Sequence, residues 1–547
     1  MFRKKTLFIL LLIMTIPAFS TLFRSGFFPM HDDMQVMRLL QMDKCIKDAQ
    51  IPCRWVPDMG YGYGYPQFNY YSPLPYYLME GIHLLGFSYL DSVKAFFVLT
   101  VIISAWGMYL LGSTLWGRGG GFLSALFYIY VPYRAVDMYV RGAVGELAAF
   151  TILPFIFLYS YRMVEGKKKA VLGFAISASP LFTSHNITAI MVLPLLLLWV
   201  IFLQKNVVKK VPYREVLKNL FIGLAWGLGI SSFFIIPAWF EQNLVHIESL
   251  TGGYFNYVSH FVGLRTLLFG NYWGYGVSMA GRFDEINLSI GVLHWFFALL
   301  GLLSLWVSKR RKEKNTALFL IILSFLAIFM IHPRSSFVWQ NLSILKFFQF
   351  PWRFLIIISF LLSLATGAIV YLLKNKKTLV YLILSIICLL YLFYSSFFKP
   401  KNWLNITDSE KFSGESWKLQ QTVSIFDYLP VYASYAPKEQ APSEPILEGK
   451  VLSGDKGTNW QRWRLTTPEV QTLVVLPVFY FPNWVVKVDG RVVDVSAFGD
   501  LGLLSFNMEK GMHEVYAKLS DTPVRSFSNL VSLGSLLAIP IYLRRKK

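Results

Sequence analysis

The sequence predicts a polytopic α-helical membrane protein with about twelve transmembrane helices and a small β domain near the C-terminus. Three observations support this fold class. Apolar stretches of about 20 residues, long enough to cross a bilayer, recur throughout a chain that is 55% hydrophobic and 17% aromatic. Short basic runs separate many of these stretches. A polar segment with strand-like alternation of apolar residues comes before the last stretch.

Apolar length sets the predicted spans. The first is interpreted as a retained helix and not as a cleaved signal peptide, because no clear small-x-small cleavage site precedes Arg24. An even number of spans returns both termini to the cytoplasm. The predicted spans lie near residues 6–22, 91–112, 120–135, 143–162, 170–184, 187–204, 217–239, 286–307, 316–331, 353–373, 378–398 and 526–543.

The basic runs predict the orientation in the plasma membrane. The segments assigned to the cytoplasm hold 25 of the 52 Lys and Arg residues but only 3 of the 31 Asp and Glu residues. By the positive-inside rule, the longer loops and the β domain are therefore extracytoplasmic. The positive charge is divided among many loops and no aromatic-basic patch collects it, so the sequence predicts a lipid bilayer and not a nucleic acid as partner.

The segment 74–90 is the ambiguous one. It is apolar, yet it contains Glu80 and His83 and is interrupted by Pro73 and Pro75. If it crossed the membrane, every later basic run would face outward. We therefore predict an interfacial or re-entrant helix on the outer side.

Three units follow from this topology. Residues 1–398 form the transmembrane core, 399–525 a β-rich extracytoplasmic domain, and 526–547 the last helix with a basic cytoplasmic tail. Val488-Asp489-Gly490-Arg491 within the β-rich unit is typical of a two-residue hairpin. The main extracytoplasmic loops of the core are 23–90, 133–143, 240–285 and 332–353.

Two adjacent acids follow the first predicted span. Asp32 and Asp33 are placed at the membrane surface, where a carboxylate can take a proton from an acceptor hydroxyl or help to hold a divalent cation such as Mg²⁺ or Mn²⁺. His31 precedes them and is a candidate substrate-binding residue. A structural interpretation is equally open, since acids also cap the start of a helix such as the one predicted after Met34.

A second set of candidates lies at span ends on the same side. Arg141 and Arg353 can bind the phosphate of a lipid carrier, because guanidinium groups match phosphate oxygens. Glu146 is a candidate catalytic acid or base, while His185 and Asn186 are candidate substrate ligands. The alternatives are a local Arg141–Glu146 ion pair, an interfacial anchor at Arg353 and a structural hydrogen-bonding histidine.

Aromatic residues are dense in the same loops. Tyr65, Tyr70, Trp273 and Trp352 are candidate sugar platforms, although aromatic belts at a membrane interface have the same composition. Nucleotide-binding, dinucleotide-binding and zinc-hydrolase motifs are absent from the sequence. Three cysteines exclude a disulfide framework, and whether Cys45 and Cys53 form a pair in an oxidising exterior is left open.

Several of these motifs resemble a known family. They are similar to the bacterial and archaeal membrane proteins whose name relates them to 6-pyruvoyl-tetrahydropterin synthase, although nothing in the sequence supports pterin chemistry. The chain also resembles GT-C glycosyltransferases, and residues 480–484 and 488–490 resemble YfhO-type proteins. The motifs that carry the family resemblance are His31-Asp32, the tyrosine-rich stretch 61–77, Arg141-Gly142 with Glu146, Ser184-His185-Asn186 and Phe350-Pro351-Trp352-Arg353.

The resemblance to GT-C enzymes implies a function. It implies transfer of a sugar from a polyprenyl-phosphate-type donor to an extracytoplasmic glycan, lipid or protein. The role of base or metal ligand then falls to Asp32, and Asp33 is the alternative residue for this role. A second acidic motif is not evident, and Asp137 and Glu146 are candidates for it. The alternatives are a transporter or flippase of lipid-linked glycans and a non-catalytic scaffold for cell-envelope assembly.

Overall fold

The computed structural model describes residues 4–207, 211–279, 285–306, 310–372 and 375–545. Parts of the predicted loop 240–285 and of the basic runs near 309, 374 and 546 lie outside the described residues. The fold class is confirmed: the chain is mainly helical, and strands occur near its C-terminal end.

Helices are the main regular elements of the N-terminal half, and irregular chain connects them. The first helix of this half continues into a 3₁₀ turn, and a π-helical turn covers Asp137–Arg141. Its helices are α1 (Lys4–Phe19), α2 (Gln35–Lys47), α3 (Gln67–Tyr70), α4 (Leu74–His83), α5 (Tyr89–Ile129), α6 (Pro132–Val136), α7 (Val144–Val164), α8 (Ala170–Ser184), α9 (Asn186–Asn206) and α10 (Tyr213–Phe240).

The remaining helices include the last apolar segment of the chain. They are α11 (Leu264–Phe269), α12 (Val292–Trp306), α13 (Arg311–Ile331), α14 (Ser336–Asn341), α15 (Leu355–Thr366), α16 (Lys376–Tyr394), α17 (Asp408–Lys411), α18 (Gly414–Thr422) and α19 (Pro523–Arg545).

Nine helical stretches within the described residues are long and apolar enough to cross a membrane. Helices α8 and α12 are apolar but shorter. Helix α5 covers two predicted spans and departs from helical geometry at Gly117, within the predicted turn at 117–119. Its part after Gly117 rises only about 18 Å, less than the ~30 Å of a hydrocarbon core. The total of twelve spans therefore stays a prediction.

Helix packing brings the ends of α7, α8 and α9 together. Helix α7 packs against α5, α8 and α9, while α10 packs against α8 and α19. Helix α15, buried along its whole length, packs against α5, α12 and α13. The site described below lies where the N-terminal ends of α7 and α9 meet the loops.

The predicted strands and the hairpin are confirmed. Val488 pairs with Arg491, and the two residues between them have positive φ, as a type I′ turn requires. The strands form two antiparallel sheets, with orders β1-β4-β8-β7 and β2-β3-β9-β5-β6. They are β1 (Ile446–Leu447), β2 (Lys450–Lys456), β3 (Trp460–Thr467), β4 (Thr472–Phe479), β5 (Trp484–Val488), β6 (Arg491–Val493), β7 (Ser496–Phe498), β8 (Leu503–Met508) and β9 (Gly511–Leu519).

The first third of the predicted β-rich unit is not β-structured. Residues 399–445 contain α17, α18 and irregular chain, and they run along the loop region 23–90. The backbone of Phe27 pairs with that of Leu404, and the Lys411 ammonium forms an ion pair with Asp33. This segment, called here the connecting segment (residues 399–445), contributes to the candidate site.

The loop region 23–90 also supplies part of the hydrophobic core of the sheets. Trp55 packs on Phe481 and Trp484, with ring centroids 5.7 and 5.9 Å away, and Tyr63 packs on Phe479. In the same region Cys45 and Cys53, the pair left open by the sequence, form a disulfide. The sheets and the loop region therefore share one core and position each other.

Candidate functional site

A cavity of about 620 Å³ lies among the loop region 23–90, the ends of α7 and α9, the loop before α15 and the connecting segment. It brings together nine of the twelve residues predicted as site residues from sequence. The nine are His31, Asp32, Tyr70, Arg141, Glu146, His185, Asn186, Trp352 and Arg353.

Gly142 joins two parts of this site. It has φ 67° and follows the π-helical turn that ends at Arg141. A Cβ atom here would lie 2.0 Å from Met30 Sδ and would displace that side chain, so glycine favours the close approach. As a result the amide of Asp32 donates to the Arg141 carbonyl over 3.0 Å, which holds the predicted acid and the predicted phosphate ligand on neighbouring backbone segments.

Glu146 lies at the centre of a buried ion cluster. Its carboxylate is 2.8 Å from Arg141 Nη2 and 3.3 Å from Arg353 Nε, and it accepts a 2.6 Å hydrogen bond from the Tyr133 hydroxyl. The other terminal nitrogen of Arg141, Nη1, lies 2.5 Å from Asp137 Oδ1. Both arginines are thus fixed by a carboxylate whose own side chain is 2% exposed.

Not every N–H group of the cluster is used within it. Burial, together with the nearby Glu146, raises the pKa of Asp137 and favours its neutral form. Arg353 Nη1 donates to the Phe348 carbonyl and to Gln349 Oε1, while its Nη2 makes no hydrogen bond to any described residue. Arg141 and Arg353 therefore share the Glu146 carboxylate, and N–H groups remain to bind an anion.

His185 is a neutral hydrogen-bond donor in this arrangement. Its Nδ1 accepts from the amide of Thr188 over 3.2 Å, so the ring proton of the neutral form lies on Nε2, 3.9 Å from Glu146. Burial lowers the pKa of His185 to about 3, and the attraction of Glu146 only partly opposes this. Asn186, next along the chain, accepts from the Ser72 hydroxyl over 3.3 Å.

Asp32 presents a partly exposed carboxylate to the cavity. Its side chain is 42% exposed, and its carboxylate is 3.8 Å from Nη1 of the buried Arg38. Gln35 Nε2 lies 3.4 Å from the second oxygen, and Arg38 stacks on the Tyr71 ring at 4.1 Å. Asp32 is therefore oriented by weak contacts and is open to a ligand.

Asp427 was not predicted, yet it lines the same cavity as Asp32 and Arg38. Burial raises its pKa to about 6; Arg38 opposes this rise, and Asp32 adds to it. Asp427 belongs to the connecting segment, which sequence patterns assign to the β-rich unit. No spacing rule connects residue 38 with residue 427, so the sequence offers no signal for this contact.

We expect Asp427→Asn to stabilise the protein in a pH-dependent way. The pKa of Asp427 is higher in the folded than in the unfolded state, so the wild type loses stability as the pH rises from about 4 through about 6. Asparagine removes this loss. Thermal unfolding of the purified protein should show the variant's advantage at pH 8 and little of it at pH 4.5. An equal shift at both pH values, or a shift shared by the exposed Asp494→Asn control, would contradict this assignment.

Three predicted residues lie outside the cavity lining, each for a clear reason. Asp33 is paired with Lys411 at 2.9 Å. The buried Tyr65 hydroxyl contacts the carbonyls of Ser424 and Ile425, so Tyr65 holds the turn that carries Asp427. Trp273 stacks on Phe397 with ring centroids 4.7 Å apart and is used in packing.

The predicted metal role of Asp32 fits its surroundings poorly. Within the described ranges no group of three or more His, Cys, Asp or Glu side chains is placed to hold a metal ion. The nearest charge to Asp32 is a guanidinium, whereas Mg²⁺ and Mn²⁺ require several oxygen ligands.

Aromatic and apolar side chains line the cavity beside the charged cluster around Glu146. Trp352 stacks on Phe350 at 4.7 Å and lies under the Arg141 guanidinium, also at 4.7 Å. The indole N–H of Trp352 donates to the Ser278 hydroxyl over 3.0 Å, which fixes the ring. The apolar lining continues with Ile187, Ile190, Ile247, Leu250 and Phe347.

Fold and site together define a polytopic membrane protein with a cavity lined by charged, aromatic and apolar side chains. The chain belongs to the 6-pyruvoyl-tetrahydropterin synthase related domain family, described as membrane proteins, whose model matches residues 68–399. This confirms the family resemblance expected from the motifs.

Two bacterial relatives match parts of the chain. An uncharacterized protein of Lactococcus lactis subsp. cremoris is 25% identical over 259 residues, 46% of this chain and 40% of the relative. The uncharacterized protein YfhO of Bacillus subtilis is 28% identical over 118 residues, 21% of this chain and 13% of the relative. The chain thus spans less than half the length of either relative.

Three solved structures are similar to this chain at low sequence identity. Arabinofuranosyltransferase AftD from mycobacteria has a TM-score of 0.48 and 12% identity, covering 74% of this chain and 27% of AftD. The apo oligosaccharyltransferase of Archaeoglobus fulgidus has a TM-score of 0.44 and 13% identity, and the match covers 80% of this chain and 60% of that protein. ArnT from Cupriavidus metallidurans bound to undecaprenyl phosphate has a TM-score of 0.41 and 11% identity, and the match covers 70% of this chain and 63% of ArnT. The roles assigned below rest on this chain's own contacts.

Proposed function

We propose that the protein is a membrane glycosyltransferase that moves a sugar from a polyprenyl-phosphate-type lipid donor to an extracytoplasmic glycan, lipid or protein acceptor. One observation carries the proposal: the same cavity contains an accessible carboxylate, a cluster of arginines and a set of apolar side chains. A lipid-linked sugar has three matching parts: a sugar, a phosphate and a hydrocarbon chain. The reaction needs these parts to be held in order beside an acceptor hydroxyl.

Asp32 is the proposed general base. Its exposed carboxylate accepts the proton of the acceptor hydroxyl as the oxygen attacks the anomeric carbon of the donor sugar. The bond between that carbon and the phosphate oxygen breaks, and the bonding electrons leave with the phosphate. Arg38 restrains Asp32 from the buried side, and Asp427 is a second carboxylate available to orient acceptor hydroxyls.

The arginine cluster is the proposed site for the departing phosphate. Glu146 fixes Arg141 and Arg353 in one orientation without cancelling both of their charges. Such preorganised donors stabilise charge that develops in the transition state. Neutral His185 adds a donor on the same side, and Tyr70, stacked on Tyr428 at 5.6 Å, offers a ring edge to the sugar.

Purified protein in liposomes provides the test of this function. The liposomes would contain radiolabelled sugars on polyprenyl phosphate, with a soluble glycan acceptor outside and empty liposomes as control. Transfer of label to the acceptor supports the proposal. Movement of the labelled donor between leaflets without transfer would instead support a flippase, and neither activity with any donor would contradict the proposed site.

We expect Arg353→Lys to raise the donor KM and also to lower kcat, so that kcat/KM for the donor falls at least roughly tenfold, because the phosphate is bound before transfer and gains charge in the transition state. Lysine keeps the charge but cannot present the planar fork whose Nη2 makes no hydrogen bond to described residues. Donor titrations in the same liposomes measure this effect. The matched control is Arg334→Lys, an exposed arginine in the same loop that does not line the cavity. An unchanged kcat/KM for the donor in Arg353→Lys would remove Arg353 from phosphate binding.

A further inference from the structure

A second cavity of about 570 Å³ lies between the loop region 23–90, the connecting segment and the sheets. It shares no lining residue with the first cavity. Large aromatic side chains dominate its walls and come from all three parts of the chain. They are Trp55, Tyr63, Trp417, Trp460 and Trp484.

Hydrogen-bonding groups stand among these rings. Trp484 is 4% exposed, and its indole N–H has no partner among the described residues. Asp58 uses one carboxylate oxygen to bind Lys44 at 2.5 Å and Gln41 at 2.7 Å; its other oxygen accepts no hydrogen bond from the described residues. Gln440 is exposed at the rim. The cavity thus offers an acceptor at Asp58 and an amide at Gln440 to a ligand, and the unpartnered indole N–H of Trp484 lies buried in its wall.

The aromatic wall is held in place before any ligand binds. Asp48 accepts from the indole N–H of Trp460 over 2.9 Å and from the amide and hydroxyl of Thr458, each over 2.7 Å. Trp55 contacts Trp484 edge to face. A ligand therefore pays little entropy to order these rings, which favours affinity.

We propose that this second cavity binds a saccharide chain. Sugars present apolar C–H faces, which pack on aromatic rings, and hydroxyl groups, which pair with carboxylates, amides and indole N–H groups. The cavity carries three lysines and two aspartates, and two of these charges, Lys44 and Asp58, neutralise each other. A neutral or weakly anionic glycan matches this nearly balanced charge.

The saccharide is assigned as the acceptor, a step that rests on the proposed function. The same two segments line both cavities. Gly62 to Gly64 line the second cavity and Tyr70 to Ser72 the first, while Gln421 lines the second and Ser424 the first. A glycan held in the second cavity is thus bound by the segments that carry Tyr70 and Asp427. The second cavity would hold the chain while its end is glycosylated in the first.

The test measures glycan binding by the full-length protein in nanodiscs free of glycoside detergent. An array of bacterial cell-envelope glycans identifies a binder, which is then titrated against wild type and variants. We expect Trp417→Ala to weaken binding roughly tenfold and Gln440→Ala about threefold. The exposed Tyr435→Ala, on the same segment but lining neither cavity, should bind like wild type.

Two results would overturn the proposal: no array glycan binding above empty nanodiscs, or Trp417→Ala and Gln440→Ala both binding like Tyr435→Ala. The exposed Gln440 keeps the test valid even if Trp417→Ala fails to fold. Binding that persists while wild-type protein transfers no sugar would sink the proposed transferase and the acceptor assignment but leave the saccharide site standing.

Discussion

Replacement of Asp32 by asparagine is expected to reduce sugar transfer by about 10²–10⁴-fold, the range that a general base contributes. Asparagine has nearly the same shape but cannot take the acceptor proton. The cost to stability should be small, because the Asp32 side chain is 42% exposed and its contact with Arg38 is 3.8 Å long. Initial rates in liposomes, matched for folded protein, measure the effect.

The neighbouring acid provides the matched control. Asp33 has the same chemistry one position away, but Lys411 binds it at 2.9 Å and it does not line the cavity. Asp33→Asn should therefore keep most of the transfer activity. If Asp32→Asn stays within threefold of wild type, or if Asp33→Asn loses as much activity as Asp32→Asn, Asp32 is not the base.

Sequence patterns could predict which residues meet in the main cavity because orientation limits where loops can go. Basic runs and apolar lengths place Asp32, Arg141, His185 and Arg353 in loops of one side, and short loops at helix ends leave them little freedom. The turn at Asp489-Gly490 was predictable for a local reason, since both residues tolerate positive φ.

The remaining parts of the site depend on contacts that no local rule encodes. The turn with Asp427 reaches the cavity because the Tyr65 hydroxyl binds the carbonyls of Ser424 and Ile425. The aromatic composition of its loop predicted that Tyr65 is a sugar platform, whereas in the structure Tyr65 positions this turn. Trp273 was likewise predicted to be a sugar platform, but its ring stacks on Phe397 in the structure.

Replacement of Glu146 by glutamine is expected to destabilise the protein by about 3–5 kcal/mol, the cost of breaking a buried ion pair from one side. The variant leaves Arg141 and Arg353 facing each other, since Asp137 is held toward its neutral form by burial. Thermal and denaturant unfolding should both report the loss. Glu165→Gln, at the other end of the same helix, has no described ion pair and should be near neutral.

A double variant separates charge repulsion from simple loss of packing. If Glu146 holds two like charges together, Arg353→Gln removes one of these charges and should make Glu146→Gln less destabilising. The stability losses of the two single variants should then sum to more than the stability loss of the double variant. Additive losses would show instead that Glu146 acts through its hydrogen bond from Tyr133. Transfer activity should stay low in the double variant either way, because the phosphate would meet one guanidinium where the wild type supplies two.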